Sequence, residues 1–563
     1  MNALLWTGAG ALGLWLGMPN PLVQLPMLAL LYPAALFALG REATSVRRAL
    51  RAGWLCGFVG ASACMYWVAI PVHEFGGLPW PLAAPCALFM GLYIGLYGGL
   101  FAVLAHKLTS KEDSLSPWQI ALGLGLGWYL LEWFRGWFLS GFPWLSLASA
   151  FAPWPLLVQG VSVVGTYGLS GVLVGLVCLL FPPLKSKPFW RTLPVWGGVL
   201  CFALLLVFGW WRVELVYPLD APTTTTVPVE PDAPDVPGVP VEPGVPVALV
   251  QGNLDQNVKW EPSMQRLTVQ RYLTLSTEAL AFPAPGVGRP SLLLWPETAM
   301  PFDYQRNKAF PSQIRAYASE HNIALLFGSP GFRRVAPPAT DKTDTFNRAY
   351  LVTAGEDSGW YEKEHLVPFG EYMPPFLDIP FLRPLLQGVG NFTSGEKIVP
   401  LTVVLPSAVP DTAPADTVAP RNPPDKPLVL GVLICYETVF PELARQRVAD
   451  GAEVFVNISN DAWFGRSAAP EQHLQLTLLR AVEQGRWLMR ATNTGLSAFI
   501  DPAGRVRARS TLFTAQTLSA RVVPLRNRTV FFHVEPWLPA LALLVFLGLC
   551  RGCFFGHSKP YNP

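Results

Sequence analysis

The stretch Val429-Leu-Gly-Val-Leu-Ile-Cys-Tyr-Glu437 is the most informative part of this 563-residue chain. Its first six residues are apolar or glycine without interruption, which is typical of a strand buried within a layered α/β domain. The strand pattern ends at Cys435, the one cysteine that lies outside an apolar stretch or its flank. This thiol therefore has no disulfide partner in its own region. It is either a buried small apolar residue or a nucleophile.

The sequence on both sides of this segment alternates between strand and helix patterns. Strand patterns occur at 247–251, 291–295, 323–328, 348–353, 428–434 and 453–458, and helical patterns at 262–281, 311–321, 440–450 and 470–488. Continuous apolar strands separated by helices predict an α/β layered domain whose sheet is buried on at least one face. We assign this domain to residues 247–530 and expect its active residues at strand ends.

The rest of the chain has the composition of a membrane protein. The mean hydropathy is +0.33 and 14% of the residues are charged, which is not typical of a soluble enzyme. Apolar runs near the length that a bilayer requires occur at 3–18, 22–39, 52–70, 82–105, 118–138, 156–181, 192–212 and 536–555. We therefore predict about eight transmembrane helices, about seven within 1–216 and one within 531–563.

The charges between these runs predict the orientation in the membrane. Basic residues lie in alternate connections: Arg41, Arg47, Arg48 and Arg51, then Lys107 and Lys111, then Lys185, Lys187 and Arg191, and finally Arg551 and Lys559. The other connections, around 19–21, 71–80 and 139–155, contain no Lys or Arg. The positive-inside rule then places both termini in the cytoplasm and 213–534 outside. The start has no charged n-region or cleavage site, so we interpret it as a retained helix.

Two proline-rich segments interrupt this organisation. Residues 217–246 repeat Pro, Val and acidic residues without periodicity and predict a semi-rigid linker between membrane and domain. Residues 405–427 are rich in Pro, Ala and Asp and predict a surface insertion within the α/β domain.

Ionisable residues end three strand or loop patterns of the domain. These segments are Leu294-Trp-Pro-Glu297, Tyr361-Glu-Lys-Glu-His-Leu-Val-Pro-Phe-Gly-Glu-Tyr372 and Cys435-Tyr-Glu437. A thiol needs a base or a positive neighbour to act as a nucleophile, and Glu297 and Lys363 supply one of each. A Cys-His pair with His365 or His473 as the base is the alternative, and residue spacing leaves it open.

These motifs, together with Asn460-Asp-Ala-Trp-Phe-Gly465, resemble the apolipoprotein N-acyltransferase family of the nitrilase superfamily. The resemblance covers nearly the whole chain, because that family also joins N-terminal helices, a periplasmic nitrilase-like domain and a C-terminal helix. It implies a polytopic α-helical protein of the bacterial inner membrane with an inserted αββα sandwich domain.

The resemblance also implies roles for individual residues. Cys435 matches the nucleophile, Glu297 the general base and Lys363 the residue that stabilises the oxyanion. Supporting or substrate-facing positions are matched by Glu371, Tyr436, Glu437, Asn347 and Trp260. The segment Phe346-Asn347-Arg348 departs from the Tyr-Asn-Ser-like sequence expected there, and the two proline-rich insertions depart as well.

The implied reaction transfers a fatty acyl chain from a membrane phospholipid, through a thioester on Cys435, to the α-amino group of an S-diacylglyceryl-cysteine lipoprotein. It requires no cofactor, metal or nucleic acid. It does require that burial raises the pKa of Glu297 and that an ammonium lowers the pKa of the thiol. The alternatives are a membrane-tethered amidase or nitrilase that acts on a small C–N bond, and a scaffold with a degenerate domain.

Three further motifs lie in the apolar part of the chain. Glu132 and Arg135 are three residues apart on one predicted helix face, where they form either a functional site or a mutual salt bridge. Cys550 and Cys553 have CxxC spacing without a second pair, so we expect no metal site. Gly8 to Gly13 matches GxGxxG without a preceding strand, which indicates helix packing.

Overall fold

The computed structural model describes residues 2–110, 115–180, 193–218, 244–334, 343–374, 390–396, 400–405 and 427–554, with side chains up to residue 550. The proline-rich segments predicted at 217–246 and 405–427 lie almost wholly outside these residues, and so does the side chain of Cys553. The chain divides into two compact units. Unit 1 comprises Met1–Tyr217, Ser467–Glu483 and Thr529–Pro563, and unit 2 comprises Pro218–Arg466 and Gln484–Arg528.

The helices are α1 (Asn2–Gly17), α2 (Leu31–Glu42), α3 (Val46–Cys64), α4 (Ala69–Glu74), α5 (Trp80–Thr109), α6 (Pro117–Trp137), α7 (Pro155–Val158), α8 (Val161–Leu180), α9 (Leu193–Trp210), α10 (Gln265–Ala281), α11 (Phe310–Glu320), α12 (Pro441–Ala449), α13 (Ala469–Gln484), α14 (Val530–Val534) and α15 (Leu538–Phe554). The strands are β1 (Val245–Gln251), β2 (Leu292–Leu294), β3 (Ala324–Arg334), β4 (Thr343–Thr353), β5 (Glu356–Glu362), β6 (Leu401–Val403), β7 (Leu428–Ile434), β8 (Val454–Ser459), β9 (Leu488–Thr492), β10 (Ala498–Ile500), β11 (Val506–Arg509) and β12 (Gln516–Val522).

Unit 1 is helical, and each predicted apolar run contains a helix. Among the described residues, Trp80–Thr109, Val161–Leu180 and Leu193–Val216 are long and apolar enough to cross a membrane. A fourth candidate is α3 with the helical segment that follows it, which is bent by 57° after Cys64. The structure thus supports a few membrane-spanning helices, and the number eight stays a prediction.

Glu132 and Arg135 are buried in α6 and form no ion pair within the described part of the chain. Glu132 Oε1 instead accepts hydrogen bonds from Trp128 Nε1 and the Leu147 amide, each at 2.8 Å. The Arg135 guanidinium lies 5.7 Å from the centre of the Tyr97 ring. The salt-bridge interpretation is therefore wrong for these two described residues: Glu132 Oε2 and the Nε and Nη2 atoms of Arg135 are buried without a hydrogen-bond partner.

The described residues of unit 2 form two six-stranded sheets. The first has the order β12-β1-β2-β3-β4-β5 and the second the order β11-β10-β9-β8-β7-β6. Strands β1, β2 and β3 are mutually parallel in the first sheet, as are β7, β8 and β9 in the second. All six strand patterns found in the sequence correspond to strands in these sheets. The carboxyl ends of neighbouring parallel strands lie side by side. Residues that follow β2 therefore lie at the carboxyl ends of the strands of the first sheet, and residues that follow β7 at those of the second.

Helices α10 and α11 cover one face of the first sheet with an aromatic core. Trp295 stacks on Tyr272 of α10 at 5.1 Å between ring centres, and its Nε1 donates to Ser276 at 2.9 Å. Burying such rings contributes roughly 1.5–3 kcal/mol each. This packing fixes the segment that carries Glu297, two residues further along the chain.

Candidate active site

Cys435 occupies the turn directly after β7. Its backbone φ is 51°, a left-handed conformation that costs an L-residue on the order of 1–2 kcal/mol. Such strain persists where the surrounding structure enforces it and is concentrated at functional sites. The side chain is buried. The turn therefore fixes the thiol at the carboxyl end of the parallel strands of the second sheet.

Glu297 occupies the equivalent edge of the first sheet, three residues after β2. Gly328 of β3 supports this segment, because its amide donates to the Pro296 carbonyl at 3.0 Å and its carbonyl accepts from the Met300 amide at 3.0 Å. The Glu297 side chain is buried. A carboxylate without bulk water around it is a stronger base than an exposed one.

Lys363 follows β5 directly and is 1% exposed. Its ammonium lies 3.6 Å from Glu297 Oε1 and 2.8 Å from Glu371 Oε2. Its backbone amide donates to the Asn347 carbonyl at 2.9 Å. The positive charge of Lys363 is thus held between two carboxylates inside the protein.

Asn347 and Glu371 complete this charged cluster. Asn347 Nδ2 donates to Glu297 Oε1 at 2.7 Å and to Glu371 Oε1 at 3.0 Å. The second carboxylate oxygen of Glu371 accepts from the Val367 amide at 2.8 Å. The two residues fix the positions of Glu297 and Lys363 relative to each other.

Glu437 holds the turn of Cys435 to the loop after Lys363. Its Oε1 accepts from the Tyr361 hydroxyl at 2.7 Å and from the Glu364 amide at 2.7 Å, and its Oε2 accepts from the Ile434 amide at 2.7 Å. The carboxylate is fully buried. Glu437 therefore connects two segments of the site, and both of its carboxylate oxygens accept hydrogen bonds.

Burial controls the acid–base properties of the site. It raises the pKa of the Cys435 thiol to about 12, with Glu297 acting in the same direction and Lys363 against it. Burial also raises the pKa of the Glu297 carboxyl, outweighing the opposing effects of Lys363 and Asn347. The expected rise for Glu297 is thus present. The expected lowering of the thiol pKa is not, because burial outweighs the ammonium.

Lys363 stays charged in this environment. Burial lowers the pKa of its ammonium, but Glu371, Glu297 and Cys435 together raise it above the ordinary lysine value. The site therefore combines a nucleophile, a base of increased strength and a permanent cation. Such a set can attack an acyl carbonyl and stabilise the oxyanion that forms.

Comparison with known proteins gives the chain a family. Residues 246–527 match the carbon-nitrogen hydrolase model, and residues 10–180 match the model of the apolipoprotein N-acyltransferase N-terminal domain. An apolipoprotein N-acyltransferase of Geobacter metallireducens is 34% identical over 519 residues, which cover 90% of this chain and 87% of the relative. The chain belongs to the apolipoprotein N-acyltransferase family. A second member, from Azotobacter vinelandii, is 34% identical over 96% of this chain and 94% of its own length.

Family membership confirms the resemblance drawn from the motifs. Among solved structures, an amidase of the nitrilase superfamily from Nesterenkonia is 19% identical, with a TM-score of 0.35, and covers 52% of this chain and 95% of its own. The carbon-nitrogen hydrolase match already identifies unit 2 as nitrilase-like.

The remaining residues suggested by the family resemblance differ in exposure. Tyr436 is buried beside Phe440, and Trp260 is 45% exposed. In the segment that departs from the family, Arg348 pairs with Glu362 at 2.6 Å. The departure from the family sequence at Arg348 therefore does not disturb the hydrogen bond from Asn347 to Glu297.

The two candidate histidines lie against aromatic rings. His365 packs on Phe440 at 3.9 Å between ring centres, and His473 of α13 lies 5.6 Å from Trp144 in unit 1. The thiol is electrostatically coupled most strongly to Glu297 and Lys363. These electrostatic effects therefore favour the Glu-Lys-Cys set over a Cys-His pair.

Sequence reasoning missed Lys259, which precedes Trp260. It is 2% exposed, and in the described structure its ammonium makes no hydrogen bond or ion pair. The ammonium lies 5.7 Å from the Trp260 ring centre and acts on Glu297 electrostatically. Burial lowers its pKa to about 8, partly opposed by Glu297. A single lysine in a loop shows no periodic pattern, and only its neighbour Trp260 drew attention to the segment.

Proposed function

We propose that this chain transfers a fatty acyl group from a membrane phospholipid to the α-amino group of the S-diacylglyceryl-cysteine that begins a lipoprotein. Cys435 is the nucleophile, Glu297 the proton acceptor and Lys363 the oxyanion-stabilising cation. The observation that carries this proposal is the buried contact of Lys363 with Glu297 at 3.6 Å, with both coupled to the Cys435 thiol. The names of the relatives support the substrate class.

The first half-reaction forms an acyl-enzyme. Glu297 takes the proton of the thiol while the sulfur attacks the ester carbonyl of the phospholipid. Lys363 stabilises the negative charge on the carbonyl oxygen. When the tetrahedral intermediate collapses, the carbon–oxygen bond breaks and the proton on Glu297 passes to the departing lysophospholipid. A thioester remains on Cys435.

The second half-reaction consumes this thioester. The acceptor amine attacks the thioester carbonyl and gives a proton to Glu297. The carbon–sulfur bond breaks, and the proton returns to the sulfur of Cys435. Ping-pong kinetics follow from this order.

The supporting residues have separate roles in this proposal. Asn347 and Glu371 position Glu297 and Lys363 through direct hydrogen bonds. Glu437 fixes the strained turn of the nucleophile. Tyr436 and Trp260 face the substrates, and the exposure of the Trp260 ring suits contact with an acyl chain.

The membrane frame is part of the same proposal. Eight helices cross the inner membrane of a bacterium, both termini are cytoplasmic and the catalytic unit is periplasmic, as the distribution of basic residues supports. In this proposal residues 1–216 form the N-terminal membrane helices and 217–246 the linker. Residues 247–530 form the catalytic domain, an αββα sandwich, and 531–563 form the C-terminal membrane helix and tail. Both substrates are anchored in lipid, which explains why a nitrilase-like unit carries membrane helices.

A two-substrate assay tests the proposal. The purified chain is incubated with a phospholipid labelled in its acyl chain and a diacylglyceryl peptide, and N-acylated peptide is measured by mass spectrometry. We expect labelled peptide from the wild type and none from Lys363→Met, whereas the surface change Lys308→Met leaves the rate unchanged. Hydrolysis of a small amide with no acylated peptide would favour a tethered amidase, which the named relatives do not support.

A further inference from the structure

Ser459 is the last residue of β8 and is fully buried. Strands β7 and β8 are parallel with Ile434 opposite Ile458. The register therefore places Ser459 opposite Cys435, one residue beyond the last pair. The mechanism described above gives this hydroxyl no role.

The Ser459 hydroxyl is connected to the nucleophile on one side and to a buried ion pair on the other. The strand register places it within reach of the Cys435 thiol, whose pKa its hydroxyl lowers, and it donates to Asp461 Oδ1 at 3.1 Å. Arg490 Nη2 donates to Asp461 Oδ1 at 3.1 Å and to Oδ2 at 2.8 Å. Asp461 and Arg490 are both buried to 1% exposure or less. A four-residue chain thus leads from the interior to the reacting sulfur.

The Asp461 carboxylate is rigidly held. Arg490 also donates to Asn457 Oδ1 and to the Leu496 carbonyl, which anchors the guanidinium between β8 and β9. At Gly495 a Cβ would lie 2.4 Å from Asp461 Oδ2, so the Gly495 backbone packs closely against that carboxylate. Ser459, by contrast, only has to rotate its hydroxyl to change partners.

A serine hydroxyl has one proton, and here two acceptors compete for it. A thiol sulfur is a weak acceptor, so in the resting site the proton goes to Asp461. A thiolate is a charged acceptor and forms a much stronger hydrogen bond. Asp461 keeps both bonds from Arg490 when the hydroxyl turns away, so the change leaves no buried carboxylate oxygen unpaired.

We propose that Ser459 is a further catalytic residue, which turns its hydroxyl from Asp461 to the sulfur of Cys435 whenever that sulfur carries negative charge, with Asp461 and Arg490 as its positioning residues. The inference rests on the proposed function, since it concerns the same nucleophile. The sulfur is negatively charged when it attacks the phospholipid ester and again when it leaves the acyl group. Ser459 therefore assists both half-reactions, whereas the proton itself is exchanged only with Glu297.

Alkylation of Cys435 by iodoacetamide tests this inference without any lipid substrate. The rate is followed in the full detergent-solubilised chain by mass spectrometry of the peptide that contains Cys435. Loss of a hydrogen bond to a charged group lowers the thiolate fraction about 10- to 100-fold. The less acidic thiolate is more nucleophilic, which recovers part of that loss. For Ser459→Ala we therefore expect alkylation to be slower by about 3- to 10-fold at pH 8.

Two variants serve as comparisons. Ser459→Thr keeps the hydroxyl and should restore most of the rate. Ser291→Ala removes another buried serine hydroxyl, one that donates to the Pro246 carbonyl at 3.3 Å before the start of β2, and should leave alkylation unchanged. A loss of packing at position 459 would slow the threonine variant as much as the alanine variant, and that result would overturn the proposal.

Equal alkylation of Ser459→Ala and wild type would also overturn it, whatever the enzyme does with lipid. The proposed function fails by a different result, which is the absence of acyl transfer in a chain whose Cys435 is alkylated normally. With phospholipid and peptide, Ser459→Ala should lower the rates of both acyl-enzyme formation and acyl-enzyme discharge by about 10-fold. An effect on one step alone would contradict a role at the sulfur.

Discussion

At the scale of single residues, the chemical state of Cys435 differs from that of an activated surface thiol. Burial raises its pKa to about 12, so the resting site holds a neutral thiol next to a carboxylate. A neutral buried thiol is slow to oxidise, which suits an oxidising compartment. In the proposed mechanism the proton therefore passes to Glu297 during the attack on the substrate, and not before it.

Replacement of Glu297 by Gln tests this proton transfer. Acyl-enzyme formation should fall by about 10²- to 10⁴-fold, the usual contribution of a general base. Wild-type activity should decline on acidification through the pKa of Glu297, which burial raises above the ordinary carboxyl value, because the protonated acid accepts no proton. The pH profile of single-turnover acylation measures both effects. The control variant Glu278→Gln removes an exposed carboxylate on α10 and should keep the wild-type pH profile. An unchanged profile for Glu297→Gln would contradict the assignment of Glu297 as the base.

Lys259 provides a second test at this scale, through stability. Burial lowers the pKa of its ammonium to about 8, so the folded chain loses this proton more readily than the unfolded chain. Burying the charged ammonium therefore lowers the free energy of unfolding, and this cost is fully present below about pH 8. Lys259→Met should therefore raise the free energy of unfolding at pH 7 by on the order of 3 kcal/mol, and the gain should shrink as the pH rises towards 10. Thermal unfolding at several pH values checks this, with the exposed change Lys308→Met as the control. A Lys259→Met variant that is less stable than the wild type by the same amount at every pH would contradict the assignment of Lys259 as a buried cation.

At the scale of elements, the sequence predicted the two strand ends that carry Glu297 and Cys435. Their strands are continuous apolar runs, and such runs are visible without a structure. Strand β5, which positions Lys363, was missed because its residues are mostly exposed and polar and pair only with β4. Strands β6 and β9 to β12 were missed for related reasons, since they are short or contain buried polar residues such as Arg490.

Gly328 gives a test at this scale, because strand β3 supports the turn of Glu297. A Cβ at this position would lie 2.4 Å from the Thr298 nitrogen and 2.6 Å from the Glu297 Cα. Gly328→Ala should displace Glu297 and lower acyl transfer by roughly tenfold or more, since an overpacked site costs about 1–3 kcal/mol. Rates and thermal unfolding are measured together. Gly8→Ala in α1, where a Cβ meets nothing within 4 Å, is the control, and an active Gly328→Ala enzyme would show that the support is not needed.

At the scale of the whole molecule, helix α13 lies within the carbon-nitrogen hydrolase match by sequence but packs as part of unit 1. It lies inside the carbon-nitrogen hydrolase match at 246–527, whereas Ser467–Glu483 clusters with unit 1. Gln472 Oε1 accepts from Trp67 Nε1 at 3.0 Å and Trp144 Nε1 at 2.8 Å. The sequence did not predict this placement, because a helix with three Gln, two Glu, one Thr and one Arg among its 16 residues has the pattern of a surface helix. Most of its polar side chains are instead buried, and Gln472 and Gln475 are hydrogen-bonded there.

Gln472→Leu tests the importance of this placement. The change leaves two buried indole N–H groups without their acceptor, and it removes donors to the Pro19 and Cys64 carbonyls at 3.1 and 3.2 Å. Each unsatisfied group costs about 1–3 kcal/mol, so the free energy of unfolding should fall by about 3 kcal/mol or more. Thermal unfolding in detergent measures the loss. Gln313→Leu on the surface of α11 should unfold like the wild type, and equal stability of the two variants would show that α13 is not held by Gln472.

The central claim for the whole molecule is that the acyl group passes through Cys435. Its most direct test is the intact mass of the chain after incubation with phospholipid alone. We predict a mass increase of one fatty acyl group on the wild type, its absence from Cys435→Ala, and its removal when a diacylglyceryl peptide is added. An enzyme that acylates the peptide but never carries the adduct, or an adduct that persists in Cys435→Ala, would contradict the thioester mechanism.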